Sequence, residues 1–248
     1  MNLTTVRSGK FEGALRKAAV VGFSAAALVM LAASAHATNL VSNGTFTSFS
    51  TGTGGAGQFD QTNYTTLTSW GSTGYNFLFT NPTGTVQGVD GALTLDAATK
   101  AGPVGNFIGL DGAYDVGAVT QTIGGLIVGV TYTLNFYWAA SQQTGYTGGT
   151  TDFIAASLGS TTHDTATVSN PQQGFTGWTF ESFNYTATAT SEVLSFLATG
   201  TPSGVPPFAL ISDVSLTTPE PGTLTLMLGG LGLLAGAGIL RSKKRSRK

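Results

Sequence analysis

The feature that most constrains this 248-residue chain is its pair of apolar, charge-free runs, one near each end, enclosing a long stretch of different character. Near the C-terminus, Leu224 to Leu240 contains no charged residue. At 1.5 Å rise per residue, such a run makes a helix of about 26 Å, close to the thickness of a bilayer core. Its glycines would weaken a helix in water but are common in membrane helices, where they allow close approach. Arg241, Lys243, Lys244, Arg245, Arg247 and Lys248 follow at once, and such a cluster resists translocation and keeps that end in the cytoplasm. The expectation is a transmembrane helix over 224–240 with a basic tail over 241–248.

The N-terminal run has the layout of a secretory signal peptide. Arg7, Lys10, Arg16 and Lys17 precede the apolar "AAVVGFSAAALVMLAASA", and Ala35-His36-Ala37 forms a small-x-small cleavage site. Residues 1–37 are therefore read as a signal peptide with Ala35 and Ala37 at the cleavage site. The stretch between the two runs is exported, and the chain is held at the membrane through its C-terminal helix.

Just before the second apolar run stands Pro219-Glu220-Pro221. The order of triplet, apolar helix and basic end resembles the PEP-CTERM sorting signal of Gram-negative bacteria, here spanning 219–248. The resemblance implies transient recognition by an exosortase, a membrane-embedded cysteine transpeptidase that cuts near the motif and passes its substrate on to the envelope or extracellular matrix. The chain would be a substrate of that chemistry, not its catalyst. Pro219 and Pro221 also break regular structure, so the triplet is expected to be extended and accessible.

Residues 38–218 carry ten acidic residues against one lysine, Lys100, a net charge of minus nine that the whole-chain value of −1 hides. Phosphate binding depends on Lys and Arg, so this balance argues against nucleic acid and anionic lipid as partners and leaves neutral sugars and divalent cations open. The chain has no Cys, so packing and not disulfides must hold the exported fold.

No part of this stretch shows the helical apolar period. Short alternating segments rich in Thr, Val, Phe and Tyr recur instead between Gly, Asn and Ser clusters. In "VTYTLNFYWAA", Tyr132, Leu134, Phe136 and Trp138 fall on one face of a strand. Further strands are predicted at 106–110, 119–123, 153–158, 178–188, 192–198 and 208–216. Sheets with one apolar face must bury it, so the expected fold is all-β, a two-sheet antiparallel sandwich. "STGTGGAGQ" and "SQQTGYTGGTT" are predicted to be surface loops.

"NLVSNGTF", "FIGLDG", "VTQTIGGLIVGVTYTLNFYWA" and "FALISDVSL" in this order resemble the galactose-binding-like, carbohydrate-binding-module-like jelly rolls of secreted proteins. That resemblance implies a jelly-roll fold and, in many relatives, a structural calcium ion. Where relatives often carry Glu after the "NGxF" motif this chain has Thr47, and where they often carry two Asp before the last Val it has Ser212 and Asp213. Calcium is accordingly the one cofactor considered, with Asp213 and the "SNGTF" carbonyls as contributors.

No ordered catalytic motif is present. His163 stands alone beside Asp164 in "STTHDTAT" and reads as a loop residue. Gly52, Gly54 and Gly57 match the spacing of a dinucleotide-binding turn but sit in a glycine-rich loop, without the strand and helix that turn requires. Carboxylate pairs such as Asp111 with Asp115 or Asp152 with Glu181 leave a glycan-active enzyme as the alternative. A sugar-binding role instead requires aromatic platforms flanked by amides. Tyr75, Tyr137 and Tyr146 are the expected platforms, with Gln142 and Gln143 beside Tyr146, whereas Trp70, Trp138 and Trp178 are assigned to packing. The function expected is a non-catalytic envelope, matrix or biofilm protein with a structural, adhesive or exopolysaccharide-binding role.

Overall fold

Alternation of apolar and polar residues underlies the longer strands of a computed structural model that describes residues 37–50, 65–80, 93–95 and 105–218. The expected signal peptide, the Pro219-Glu220-Pro221 triplet and the apolar helix over 224–240 lie outside these residues, save Ala37. Among the described residues no helix is long and apolar enough to cross a membrane, and Thr38–Pro219 form one compact unit.

Thirteen strands are formed among them: β1 (Phe49–Ser50), β2 (Thr66–Leu67), β3 (Gly71–Ser72), β4 (Asn76–Phe79), β5 (Phe107–Asp111), β6 (Val119–Gly124), β7 (Thr131–Gln142), β8 (Thr150–Leu158), β9 (Thr161–Asp164), β10 (Val168–Asn170), β11 (Thr179–Thr186), β12 (Ser191–Thr201) and β13 (Pro207–Thr217). One sheet runs β10-β8-β12-β6-β3 with β9 also on β8, the other runs β11-β7-β13-β5-β4, and every pairing is antiparallel. All six strands predicted besides the "VTYTLNFYWAA" strand are present, displaced by a few residues at their ends.

The two sheets pack face to face over a core that draws Leu134, Phe136, Trp138, Ile211 and Leu216 from one and Ile123, Ile154, Leu194 and Phe196 from the other. Period-two alternation places these side chains inward. Trp70 belongs to this core, edge-on to Phe46 at 5.4 Å.

Four readings need correction. "SQQTGYTGGTT" is only partly loop, because β7 runs through Ser141 and Gln142 and β8 starts at Thr150. "NLVSNGTF" is not a regular strand; Asn39 makes an isolated bridge to Thr217, and Asn43 and Phe46 take left-handed backbone angles. β4 was not expected, because its four residues Asn-Phe-Leu-Phe are buried on both faces and so do not alternate. His163 lies on β9, not in a loop, with its ring stacked 5.4 Å from Phe183 and edge-on to Tyr185 at 5.0 Å.

Candidate functional site

The outer face of the five-stranded sheet carries a second apolar cluster, separate from the core between the sheets. Phe77, Phe79, Phe107, Ala139, Phe208 and Leu210 are buried there, with Leu93, Leu95, Phe175 and Trp178 packed over them. Phe79 stacks on Phe107 at 4.7 Å, and Trp178 meets Phe107 edge-on at 5.6 Å. A sheet face covered in this way offers little open platform at its centre. The rings that reach solvent lie at one end of the sheet and at its β11 edge.

At that end, register fixes who meets whom. The Asp111 N–H donates to the Tyr75 carbonyl at 3.1 Å, Asp111 pairs with Phe208, and Phe208 pairs with Ser141. One row thus leads from Tyr75, just before β4, across β5, β13 and β7 toward the loop that carries Tyr146. Tyr75 is 38% exposed, and Tyr114, which the sequence reading did not single out, is 72% exposed. Their rings meet edge-on at 5.7 Å, and Tyr75 continues edge-on to Phe77 at 5.7 Å.

The Tyr75–Tyr114 pair is held by two buried polar residues. Asp111 accepts hydrogen bonds from the N–H groups of Ala113, Tyr114 and Asp115 at 2.9, 3.0 and 3.1 Å, an Asx-type turn that projects Tyr114 outward. Asn76 donates from its amide to the Ser72 hydroxyl and to the Thr73 and Gly117 carbonyls at 2.7 to 3.1 Å. The two loops are therefore fastened together beneath the rings. Gly117 completes the fit, since a methyl there would overlap the Thr73 carbonyl.

The other predicted residues divide. Tyr146 is 39% exposed in the loop 143–149, as an aromatic platform requires. Gln142 is fully buried: its amide donates to the Gly148 carbonyl at 3.1 Å while its carbonyl oxygen accepts from the Gln173 N–H at 2.8 Å. It shapes the Tyr146 loop from below and does not present its amide to a ligand. Gln143 is half-buried, its backbone N–H bonded to the Pro206 carbonyl at 3.2 Å. Tyr137 lies five residues back along β7, about 17 Å from the Gln142 end, and meets the 53% exposed Phe180 edge-on at 5.3 Å. It belongs to a second aromatic pair on the sheet face.

Asp213 sits half-buried in a β-bulge of β13 with φ 54°, beside Val214, whose N–H donates to the Gly44 carbonyl at 3.0 Å. Calcium takes six to eight oxygens, and among the described residues no three His, Cys, Asp or Glu side chains converge to hold a metal.

The acidic residues that the fold joins differ from the pairs considered above. Asp152 on β8 lies close enough to Asp111 to feel its charge, and both are sealed at 0% and 2% exposure. Burial pushes the Asp152 carboxyl up to about 8; a weak bond from Thr150 opposes the rise and Asp111 adds to it. Glu181 instead accepts from the Trp138 indole at 3.1 Å. Glycoside hydrolysis needs two carboxyls flanking a bound sugar; Asp111 is committed to three N–H groups, and Asp152 is closed off from solvent.

Comparison with known proteins adds two findings. Residues 217–245 match the PEP-CTERM protein-sorting motif, while no curated protein sequence is significantly similar. Among solved structures, similar chains include the carbohydrate-binding module TmCBM61 in complex with β-1,4-galactotriose, at 14% identity over 73% of this chain and 99% of that one, with a TM-score of 0.41. A CBM4 structure follows at 19% identity, 72% and 99% coverage and a TM-score of 0.37. The N-terminal cellulose-binding domain of Cellulomonas fimi β-1,4-glucanase C gives 19% identity, 58% and 88% coverage and a TM-score of 0.30. The chain thus carries, at its C-terminal side, a motif that indicates exosortase-sorted export.

Proposed function

We propose that this is a non-catalytic protein of the cell envelope or extracellular matrix that is exported, sorted by an exosortase and displayed to contact exopolysaccharide. In this reading residues 1–37 are a signal peptide cleaved after Ala37, residues 38–218 a jelly-roll β-sandwich, and residues 219–248 the sorting signal. Pro219, Glu220 and Pro221 are the recognition triplet, the apolar run over 224–240 anchors the chain before processing, and the basic residues over 241–248 fix its orientation.

The observation that carries the glycan reading is the exposed Tyr75–Tyr114 pair, locked from beneath by Asp111 and Asn76. A pyranose ring packs its C–H face on an aromatic ring while neighbouring polar groups bond its hydroxyls. Rigid aromatic platforms suit this role because little side-chain freedom is lost on binding. Tyr146 and Gln143 extend the surface at the same end, and the acidic character of residues 38–218 favours neutral glycans over anionic ones. The solved modules named above bind sugars; for this chain the support is its own residues.

The test is a pull-down of the full chain, in detergent, on polysaccharide from an exosortase-bearing species. Binding that Y75A/Y114A abolishes supports the reading, and binding unchanged by that double substitution removes it. Sorting is tested separately by Glu220→Ala in a native host, where processing at the membrane should slow or stop while the sandwich remains folded.

A further inference from the structure

The tight connection between β6 and β7 has an unusual composition. It reads Gly124-Gly125-Leu126-Ile127-Val128-Gly129-Val130, and no charged residue occurs anywhere from Val116 to Thr151. Leu126 is buried in the core, yet the two residues after it point outward: Ile127 is 63% exposed and Val128 58%.

The tip is firmly built. The Ile127 N–H donates to the Tyr132 hydroxyl at 2.9 Å, and the Val130 N–H closes the turn on the Ile127 carbonyl at 3.0 Å. The Leu126 N–H reaches the Thr190 carbonyl, and the Gly129 N–H reaches that of Ala187. Gly125 and Gly129 take φ of 76° and 82°, angles that suit glycine. Two aliphatic side chains are thereby held in water by a hydrogen-bonded turn, although no such turn requires apolar residues at its tip. The nearest acidic group, Glu192, is turned away from solvent: its carboxylate accepts from the Thr188 N–H, the Thr188 hydroxyl and the Ala189 N–H.

The position of this turn indicates what covers it. β7 begins at Thr131, directly after the turn, and β13 ends beside it, with Thr217 paired to Thr133. Asn39 bridges to Thr217 at the same end. The chain therefore leaves β13 at the end of the sandwich that bears Ile127 and Val128. From Thr218 the chain is only six residue steps from Leu224, where the apolar run begins. A fully extended chain of that length spans at most about 22 Å.

We propose that the Ile127–Val128 turn is a membrane-contacting foot: while the protein is tethered, these side chains enter the interfacial layer of the outer leaflet and hold the domain upright on the membrane. This rests on the anchor reading above. With residues 38–218 at a net charge of minus nine, electrostatics would not draw the domain onto anionic lipid, so the contact is apolar and is not weakened by salt, which screens the repulsion.

The test uses the full chain, which has no native cysteine, reconstituted into phosphatidylethanolamine and phosphatidylglycerol vesicles containing doxyl-labelled lipid. Thr190→Cys, beside the turn, and Thr144→Cys, at the other end of the domain, each carry a bimane label. The expected result is lipid quenching at least threefold greater at position 190 than at 144, not reduced in 0.5 M salt, and lost in I127S/V128S. Equal quenching at both positions in a protein that floats with the vesicles overturns the foot and leaves the anchor reading intact. A protein that does not float overturns both. Quenching at position 190 that requires exosortase in the membrane assigns the turn to that enzyme and overturns the bilayer contact.

Discussion

The two ends of the sandwich expose opposite chemistry on equally firm turns. One end presents the phenols of Tyr75, Tyr114 and Tyr146, the other the aliphatic side chains of Ile127 and Val128. At the first, the turn is held by side chains, Asp111 and Asn76, which bond the backbone from below. At the second, bonds between main-chain groups and one phenol suffice. Side-chain pins leave the loop sequence free to carry polar and aromatic groups for recognition, whereas the main-chain turn carries only bulk and apolarity.

The sharpest way to break this contrast is Gly117→Ala. Its methyl would strike the Thr73 carbonyl, and the loops under Tyr75 would have to separate. A loss of about 3 kcal/mol or more in urea unfolding is expected, with polysaccharide binding lost and lipid quenching at position 190 retained in whatever protein folds.

Next in size is the pH response of the tyrosine end. Asp152 has its folded pKa raised from 3.8 to about 8. The protonated form is therefore favoured by folding, and the stability it contributes is complete below about pH 4 and is lost as pH rises through about 8. Wild-type stability should fall by a few kcal/mol over that window, and Asp152→Asn should flatten the decline. A D152N profile as steep as wild type would show that other groups carry the dependence.

Smaller effects separate the two ends more cleanly. Tyr114→Ala removes a ring that is mostly in water, so stability should change by less than about 0.5 kcal/mol, while glycan affinity should drop by about tenfold, near 1.4 kcal/mol. I127S/V128S should leave glycan affinity unchanged within error, measured on the same polysaccharide. A loss of binding there would mean that the ends are not independent.

These contrasts were only partly visible in the sequence. Strands with one wet and one dry face announce themselves by alternation, as β7 and β12 do. β4 is buried on both faces and β9 exposed throughout, so neither alternates, and His163 was read as a loop residue for that reason. Tyr75 and Tyr146 were legible because each lies in a glycine-rich stretch. Tyr114 had a signal too, an aromatic three residues after the Asp of "LDG", but its meaning depends on the Asp111 turn that lifts it. Gln142 misled because an amide suggests water, whereas here both of its polar atoms find backbone partners inside.

β13 lies in the middle of its sheet, paired with β7 and β5, and in sequence it is the last strand before the apolar run proposed as the anchor. A pull along the axis of β13 is therefore taken up first by β7 and the Asn39–Leu40 stretch on either side of Leu216 and Thr217, and by β5 from Ile211 inward, so that many hydrogen bonds resist in shear at once. An edge strand in that place would be held by one ladder of hydrogen bonds where β13 has partners on both sides. In the proposed anchored state, drag on the domain would load β13 along its length.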